Sequence, residues 1–281
     1  MTLQWFPGHM TRARREMQAK LTMVDMVIEC RDSRIPLSSQ NPLLVELAQD
    51  KPKLIILTKK DMSDPKVTEQ WMKKLSNENT HVISLDLLKE DTRSLVVQAC
   101  LQVMKPKFDR WKARGILPRK IKAMVVGIPN VGKSTLINQL AKKKIMVTAD
   151  RPGVTMSLKW ANVHPQLDVL DTPGVLWPKF EDQQVAFNLA ISGSIAEKVL
   201  PIDELAFRVF TFVYQHYASL ILKTYGHCEE DSTKFFLALG QQRHLVKGDE
   251  IRLEEVYALF LRDVKQGTLG PMSFEYVEDL A

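Results

Sequence analysis

The chain has 281 residues, 45% of them hydrophobic, and a formal net charge of +6. That is enough apolar material for one large domain or two modest ones, and it excludes a disordered chain. Three well-separated cysteines (Cys30, Cys100 and Cys228) argue against a disulfide scaffold or a zinc site, and with no apolar signal region before Arg12, Arg14 and Arg15 a cytoplasmic protein is expected.

In chain order, Met10, Ala13, Met17 and Leu21 recur at helical spacing and predict an amphipathic helix over roughly 11–22. Val24–Cys30 is an apolar, β-rich run ending at Arg31 and Asp32, and Asn41–Gln49 reads as helix. Lys53–Leu57 is a short buried strand that delivers Thr58-Lys59-Lys60-Asp61. Asp64-Pro65 opens a helix with proline at its first position, carrying a Val67, Trp71, Leu75 stripe. His81–Leu85 is a further strand and Thr92–Met104 a further helix. A basic linker is expected next, Lys105–Lys122, with eight basic residues, one acid, and the aromatics Phe108 and Trp111. Such a run suits RNA backbone and stacking contacts, or equally a solvated linker.

Lys122–Val126 then feeds Gly127-Ile128-Pro129-Asn130-Val131-Gly132-Lys133-Ser134, and Lys133–Lys142 is the helix behind it. Two strands near 157–163 and 166–170 lead to Asp171-Thr172-Pro173-Gly174. Alternating strands and helices imply a mostly parallel sheet covered on both faces. After about residue 180 the period is helical (Ile202–Leu222, Leu253–Val264), no clear strand appears, and an all-α domain is expected over 181–281 after an α/β domain over 1–180. Charge divides similarly: residues 1–182 carry 30 Lys and Arg against 19 Asp and Glu, whereas 183–281 carry 9 against 14.

Gly127–Ser134 matches G-x-x-x-x-G-K-S, a phosphate-binding loop between a strand and a helix. Its glycines let backbone amides from Asn130, Val131, Gly132, Lys133, Ser134 and Thr135 wrap phosphates; Lys133 reaches the β- and γ-phosphates and Ser134 offers a hydroxyl to Mg²⁺. Asp171, after a strand about 37 residues beyond Ser134, is expected to hold Mg²⁺ through a water, and Gly174 N–H to meet the γ-phosphate. Thr155, in the intervening Pro152–Thr155 loop, is the candidate second Mg²⁺ hydroxyl.

Asp61 supplies an acceptor-only carboxylate suited to the N1–H and N2–H of guanine, donors that adenine lacks. Lys59 is expected to lay its stem over the base, Thr58 to tie this loop to the phosphate loop, and Ser84-Leu85 to offer backbone N–H to the guanine oxygen. The base-reading loop thus precedes the phosphate loop, the reverse of the usual order. The reading is a circularly permuted P-loop GTPase domain, in which all motifs still converge at the carboxyl edge of one sheet. Val175 stands where many GTPases carry a water-orienting Gln, so slow unassisted hydrolysis is expected.

Beyond these motifs, Trp5-Phe6-Pro7-Gly8-His9-Met10, Asp32-Ser33-Arg34-Ile35-Pro36, Ser39-Gln40-Asn41-Pro42, Gly267-Thr268-Leu269-Gly270 and Ser273-Phe274-Glu275 resemble the YlqF/RbgA family of circularly permuted GTPases, along essentially the whole chain. The resemblance implies GTP hydrolysis, association of a monomer with maturing large ribosomal subunits through rRNA and ribosomal proteins, and a helical C-terminal domain that touches rRNA. It also suggests His9 as the catalytic group that positions water, beside Lys133 and Gly174, and Asn130 as a K⁺ ligand. A non-ribosomal regulatory switch and an RNA-modification domain are the competing readings; the lack of a second catalytic constellation lowers the latter.

Overall fold

The structure is a computed structural model and describes residues 15–48, 51–144, 159–174, 176–177, 182–195, 200–248 and 250–280. Helix α1 occupies residues 15–21. It is followed by β1 (Met26–Asp32), α2 (Pro42–Leu47), β2 (Lys53–Thr58), α3 (Pro65–Leu75), β3 (Thr80–Leu85), α4 (Thr92–Ala113), β4 (Ile121–Val126), α5 (Lys133–Ala141), β5 (Lys159–His164) and β6 (Leu167–Asp171). The helical part contains α6 (Gln183–Ser192), α7 (Ile202–Tyr225), α8 (Ser232–Gln242) and α9 (Leu253–Lys265).

The six strands form one sheet in the order β3-β2-β1-β4-β6-β5. Every pairing is parallel except β5 with β6. β1 is buried along all seven residues, as a central strand covered on both faces must be. One face packs Val27, Met124, Val126 and Leu170 against Met17 and Leu21 of α1 and Leu44 of α2. Ile55, Leu57 and Val82 pack against Val67 and Trp71 of α3. On the other face, a single contiguous cluster takes in Ile28, Leu54 and Val125 with Val96 of α4 and Leu136 of α5, and also Phe210, Phe235, Phe236 and Phe260 of the helical part.

Local chemistry sets the helix starts. Asp64 accepts from the Lys66 and Val67 amides with Pro65 in the first turn, Asn41 caps α2, Asp91 caps α4 and Asp231 caps α8. Three features differ from the sequence reading. The basic segment is helical as far as Ala113, with Pro106 inside α4; Met104, Phe108 and Trp111 continue its apolar stripe at i, i+4 and i+7, and this packing outweighs the amide bond that proline forfeits. The helical part contains a two-residue hairpin, Val246–Lys247 with Glu250–Ile251. Residues beyond α9 return to the sheet: Met272 N–H donates to Met62 O and Phe274 N–H to Arg34 O, both 2.9 Å, and the Trp71 indole donates to Glu275 O at 3.0 Å.

Candidate guanine-nucleotide site

The carboxyl ends of β1, β2, β4 and β6 bring the motif loops together. Gly127 leaves β4 at φ +150, where a Cβ would lie 2.6 Å from the Cys30 carbonyl oxygen of neighbouring β1, so only glycine fits. Asn130 and Gly132 adopt left-handed conformations, φ 59 and φ 90. They turn the chain into the N-terminus of α5, an arrangement of amides and helix dipole that favours anions. Val131 is buried under the loop, and Ser134 and Thr135 occupy the first turn of α5.

Lys133 is 7% exposed and its ammonium donates to Ile128 O at 2.7 Å. Burial pulls its pKa down to about 8, with the negative charge of Asp171 opposing the shift. Burial also pushes the Asp171 carboxyl above its ordinary range, against the pull of Lys133. Neither Asp171 oxygen has a hydrogen-bond partner of normal geometry among the described residues. A buried carboxylate with both oxygens orphaned is costly unless something pairs with it. A Mg²⁺ ion, hard and oxygen-seeking, fits that role with the Ser134 hydroxyl. Thr172 anchors the loop by donating its hydroxyl to Val125 O at 2.7 Å. At Gly174 an added Cβ would lie 3.0 Å from Lys133 Nζ and 3.0 Å from Pro129 Cα, so this loop rests directly on the phosphate loop.

Thr58, fully buried at the end of β2, places its hydroxyl 2.7 Å from Val131 O and 3.0 Å from Arg31 O. The base-reading and phosphate loops are therefore joined by one side chain. Lys59 takes a left-handed turn at φ 57 and its ammonium pairs with Asp32 at 2.7 Å. Asp61 follows in a 3₁₀ turn, exposed and without a side-chain partner among the described residues. Ser84 keeps a buried hydroxyl with no partner among the described residues, while the Leu85 side chain belongs to the core.

Sequence reasoning left Asp32 and Arg34 without a role. Asp32 is wholly buried, and Arg34 grips it through Nε at 3.0 Å and Nη2 at 2.8 Å. Burial alone would raise the Asp32 pKa, but the charges of Arg34 and Lys59 hold it well below the carboxylate range. Arg34 also donates to Lys265 O at 2.9 Å and Ser192 O at 3.3 Å, so Lys59, through Asp32, is braced by the helical part. A carboxylate and an arginine two residues apart, at the strand end beside a lysine-bearing loop, were the available signal. Asn130 makes a second such link, donating to Gly193 O at 2.8 Å. His9, Thr155 and Val175 lie outside the described residues. No cluster of three metal-binding side chains occurs among the described residues, and no helix among them is long and apolar enough to cross a membrane.

The family model described as 50S ribosome-binding GTPase matches residues 122–237. The chain is 44% identical over 282 residues to a Bacillus cereus protein named Ribosome biogenesis GTPase A, covering 99% of this chain and 95% of that one. It is 41% identical to the Bacillus pumilus protein of the same name, covering 99% and 100%. A mitochondrial ribosome-associated GTPase 1 from Bos taurus is 32% identical, covering 97% and 88%. Among solved structures, GNP-bound YlqF from T. maritima superposes with a TM-score of 0.66 at 25% identity, covering 94% of this chain and 98% of that one. A circularly permuted site that joins base-reading and phosphate loops, carried on a chain alike from end to end to these proteins, places it in one group: this chain belongs to the ribosome biogenesis GTPase A family.

Proposed function

We propose that this protein binds GTP across the 58–61 and 127–135 loops, hydrolyses its β–γ phosphoanhydride, and works as a late assembly factor of the large ribosomal subunit. It joins the precursor, both rRNA and ribosomal proteins, in the GTP state and leaves after hydrolysis. The observation that carries this reading is the Thr58–Val131 contact at 2.7 Å, which makes one site of two loops far apart in sequence, in a chain whose full length matches ribosome-assembly GTPases.

In this reading Asp61 accepts the guanine N1–H and N2–H, and Lys59, fixed by Asp32, covers the ring. The amides from Asn130 to Thr135 hold the phosphates, and Lys133 exchanges Ile128 O for phosphate oxygens. Mg²⁺, when bound, would supply positive charge to offset the negative charge that develops during phosphoryl transfer. Asp171, Ser134 and Thr155 hold that ion, and the Gly174 amide senses the γ-phosphate. Asn130, whose amide nitrogen donates to Gly193 O, would serve as a K⁺ ligand at the phosphate loop. His9 orients the attacking water, a task that Val175 cannot perform.

The test is GTP hydrolysis in potassium buffer, with and without purified large subunits, for the wild type and His9→Ala. Stimulation by subunits that is lost in the variant, with nucleotide affinity unchanged, is expected. Stimulation that survives removes His9 from the chemistry. Absence of both stimulation and subunit binding overturns the ribosomal role.

A further inference from the structure

The end of the sheet opposite the nucleotide carries a fixed cationic platform. α4 overhangs the sheet there, and its last turns are clamped by one buried carboxylate. Asp25, 3% exposed, receives Arg119 through two bonds (2.9 Å and 2.8 Å) and Lys107 at 3.1 Å. It also accepts the Lys122 amide at 3.0 Å. Burial opposes ionisation, but the Lys122 amide and the charges of Lys107 and Arg119 more than offset it and hold the Asp25 pKa below its ordinary value. The same two cations lie over the Trp111 ring, Lys107 Nζ at 5.2 Å and Arg119 Cζ at 5.4 Å from its centre. Phe108 packs beside that ring at 5.6 Å.

What this clamp anchors is an exposed stretch. Every residue from Lys112 to Arg119 is solvent-exposed, with Ile116 at 50% and Leu117 at 86%. Across Lys105–Lys122 there are eight cations, met by the carboxylates of Asp25, Asp109 and Asp168. Lys112 and Arg114 have no ion-pair partner among the described residues, and Lys122 instead covers the Trp160 ring at 5.7 Å. A linker kept only for solubility needs neither a buried anchor nor an exposed Ile-Leu tip. Cations unpaired among the described residues, on a helix end anchored through its neighbours Lys107 and Arg119 and beside an apolar tip, suit a nucleic-acid backbone with its ribose and base edges within reach.

We propose that the clamped end of α4 and the 114–120 segment form an RNA-backbone contact surface, with Lys112 and Arg114 as its phosphate ligands. RNA as the polyanion rests on the assembly-factor reading above. The six residues of β4 separate this surface from Gly127, about 20 Å at strand rise. RNA held here is therefore insensitive to whether GTP or GDP is bound.

The experiment measures binding of the full chain to a labelled, mixed-sequence single-stranded RNA oligonucleotide by anisotropy, from about 50 to about 200 mM salt. The variant is Lys112→Glu with Arg114→Glu. The control is Lys73→Glu with Lys74→Glu on exposed positions of α3, which changes net charge equally. Expected is an affinity loss of about tenfold or more in the first variant, with a salt slope shallower by about 0.7 per lost contact. The control retains wild-type affinity and slope, unstimulated GTP hydrolysis is normal in both, and wild-type RNA affinity is the same with GTP analogue or GDP. Unchanged affinity and slope in the first variant, or an equal loss in the control, overturns the proposal. So does loss of large-subunit binding with RNA affinity intact, which would assign the surface to a ribosomal protein. If the chain binds RNA through this surface but fails to bind subunits, it is the assembly-factor reading that falls.

Discussion

The side-chain amide of Asn130 donates to the carbonyl oxygen of Gly193 at 2.8 Å, joining the phosphate loop to the last turn of α6. Held in this way, the amide cannot change orientation without disturbing that turn, and the proposed K⁺ role of Asn130 depends on that orientation. Asn130→Ala should cost about 0.5–1.5 kcal/mol of stability. It should also abolish any excess of GTP hydrolysis in potassium over sodium buffer. A potassium effect that persists in the variant removes Asn130 from the cation site.

Base selection should reside in Asp61. Replacing its acceptor-only carboxylate with an amide, Asp61→Asn, leaves guanine N2–H facing a donor, whereas xanthine offers an oxygen at the same place. The variant should lose at least about 100-fold in GTP affinity and gain affinity for xanthosine triphosphate. Competition titrations with a fluorescent nucleotide read both changes.

Nucleotide affinity should fall in alkaline solution. The Lys133 pKa in the free protein is lowered to about 8 by burial, and phosphate binding raises it again by opposing charge. Below about pH 8 the lysine is already protonated and affinity is flat. Above it, binding must take up a proton, and Kd should rise about tenfold per pH unit. Lys133→Ala should flatten this limb. The fold itself gains stability between about pH 8 and the ordinary lysine value, because there the unfolded chain holds the extra proton.

Arg34→Ala should be among the more destabilising single changes. It strips a fully buried Asp32 of its bidentate partner and removes the bonds to Ser192 O and Lys265 O. Leaving one member of a buried pair uncompensated costs about 3–5 kcal/mol. Urea denaturation measures this directly. A loss below about 1 kcal/mol would mean that Lys59 alone compensates Asp32.

Glu275 fastens the returning C-terminal segment. Its carboxylate accepts from the Leu37 amide at 2.6 Å, the Ser38 amide at 2.9 Å, the Ser38 hydroxyl and the Asn188 amide at 3.0 Å. Burial raises its pKa, with these donors opposing. Between the ordinary glutamate value and that raised value the folded chain holds the extra proton, so this site weakens stability as pH rises through the window. Glu275→Ala should speed hydrogen exchange at Leu37, Ser38 and 267–279 while the amides of β1 and β4 stay protected.

The phosphate loop was legible because its chemistry requires fixed local spacing: Gly127, Gly132 and Lys133 occupy set positions between one strand and one helix. The parallel sheet was legible because continuous burial leaves apolar runs such as Lys53–Leu57. The extension of α4 was hidden by Pro106, although Met104, Phe108 and Trp111 keep helical spacing through it. The Asp32–Arg34 pair left only a faint local trace, two opposite charges two residues apart, and the long-range roles of these residues and of Glu275 left none. Their partners stand at Lys59, Lys265 and Ser38, and only the folded chain makes neighbours of them.

The strand order divides at one line. β1, β2 and β3 run outward to one side in sequence order, and β4, β6 and β5 fill the other from the later part of the chain. Between the two halves there is a single strand pairing, β1 with β4, matched over four residues from Met26 to Glu29. The residues proposed to read the base belong to the first half and those proposed to bind the phosphates to the second. A nucleotide lying across both, as proposed, would act as a rivet through the seam. Its arrival adds one more tie between two halves that the ribosome synthesises one after the other, beside the shared core, the β1–β4 ladder and the returning C-terminal segment that already join them.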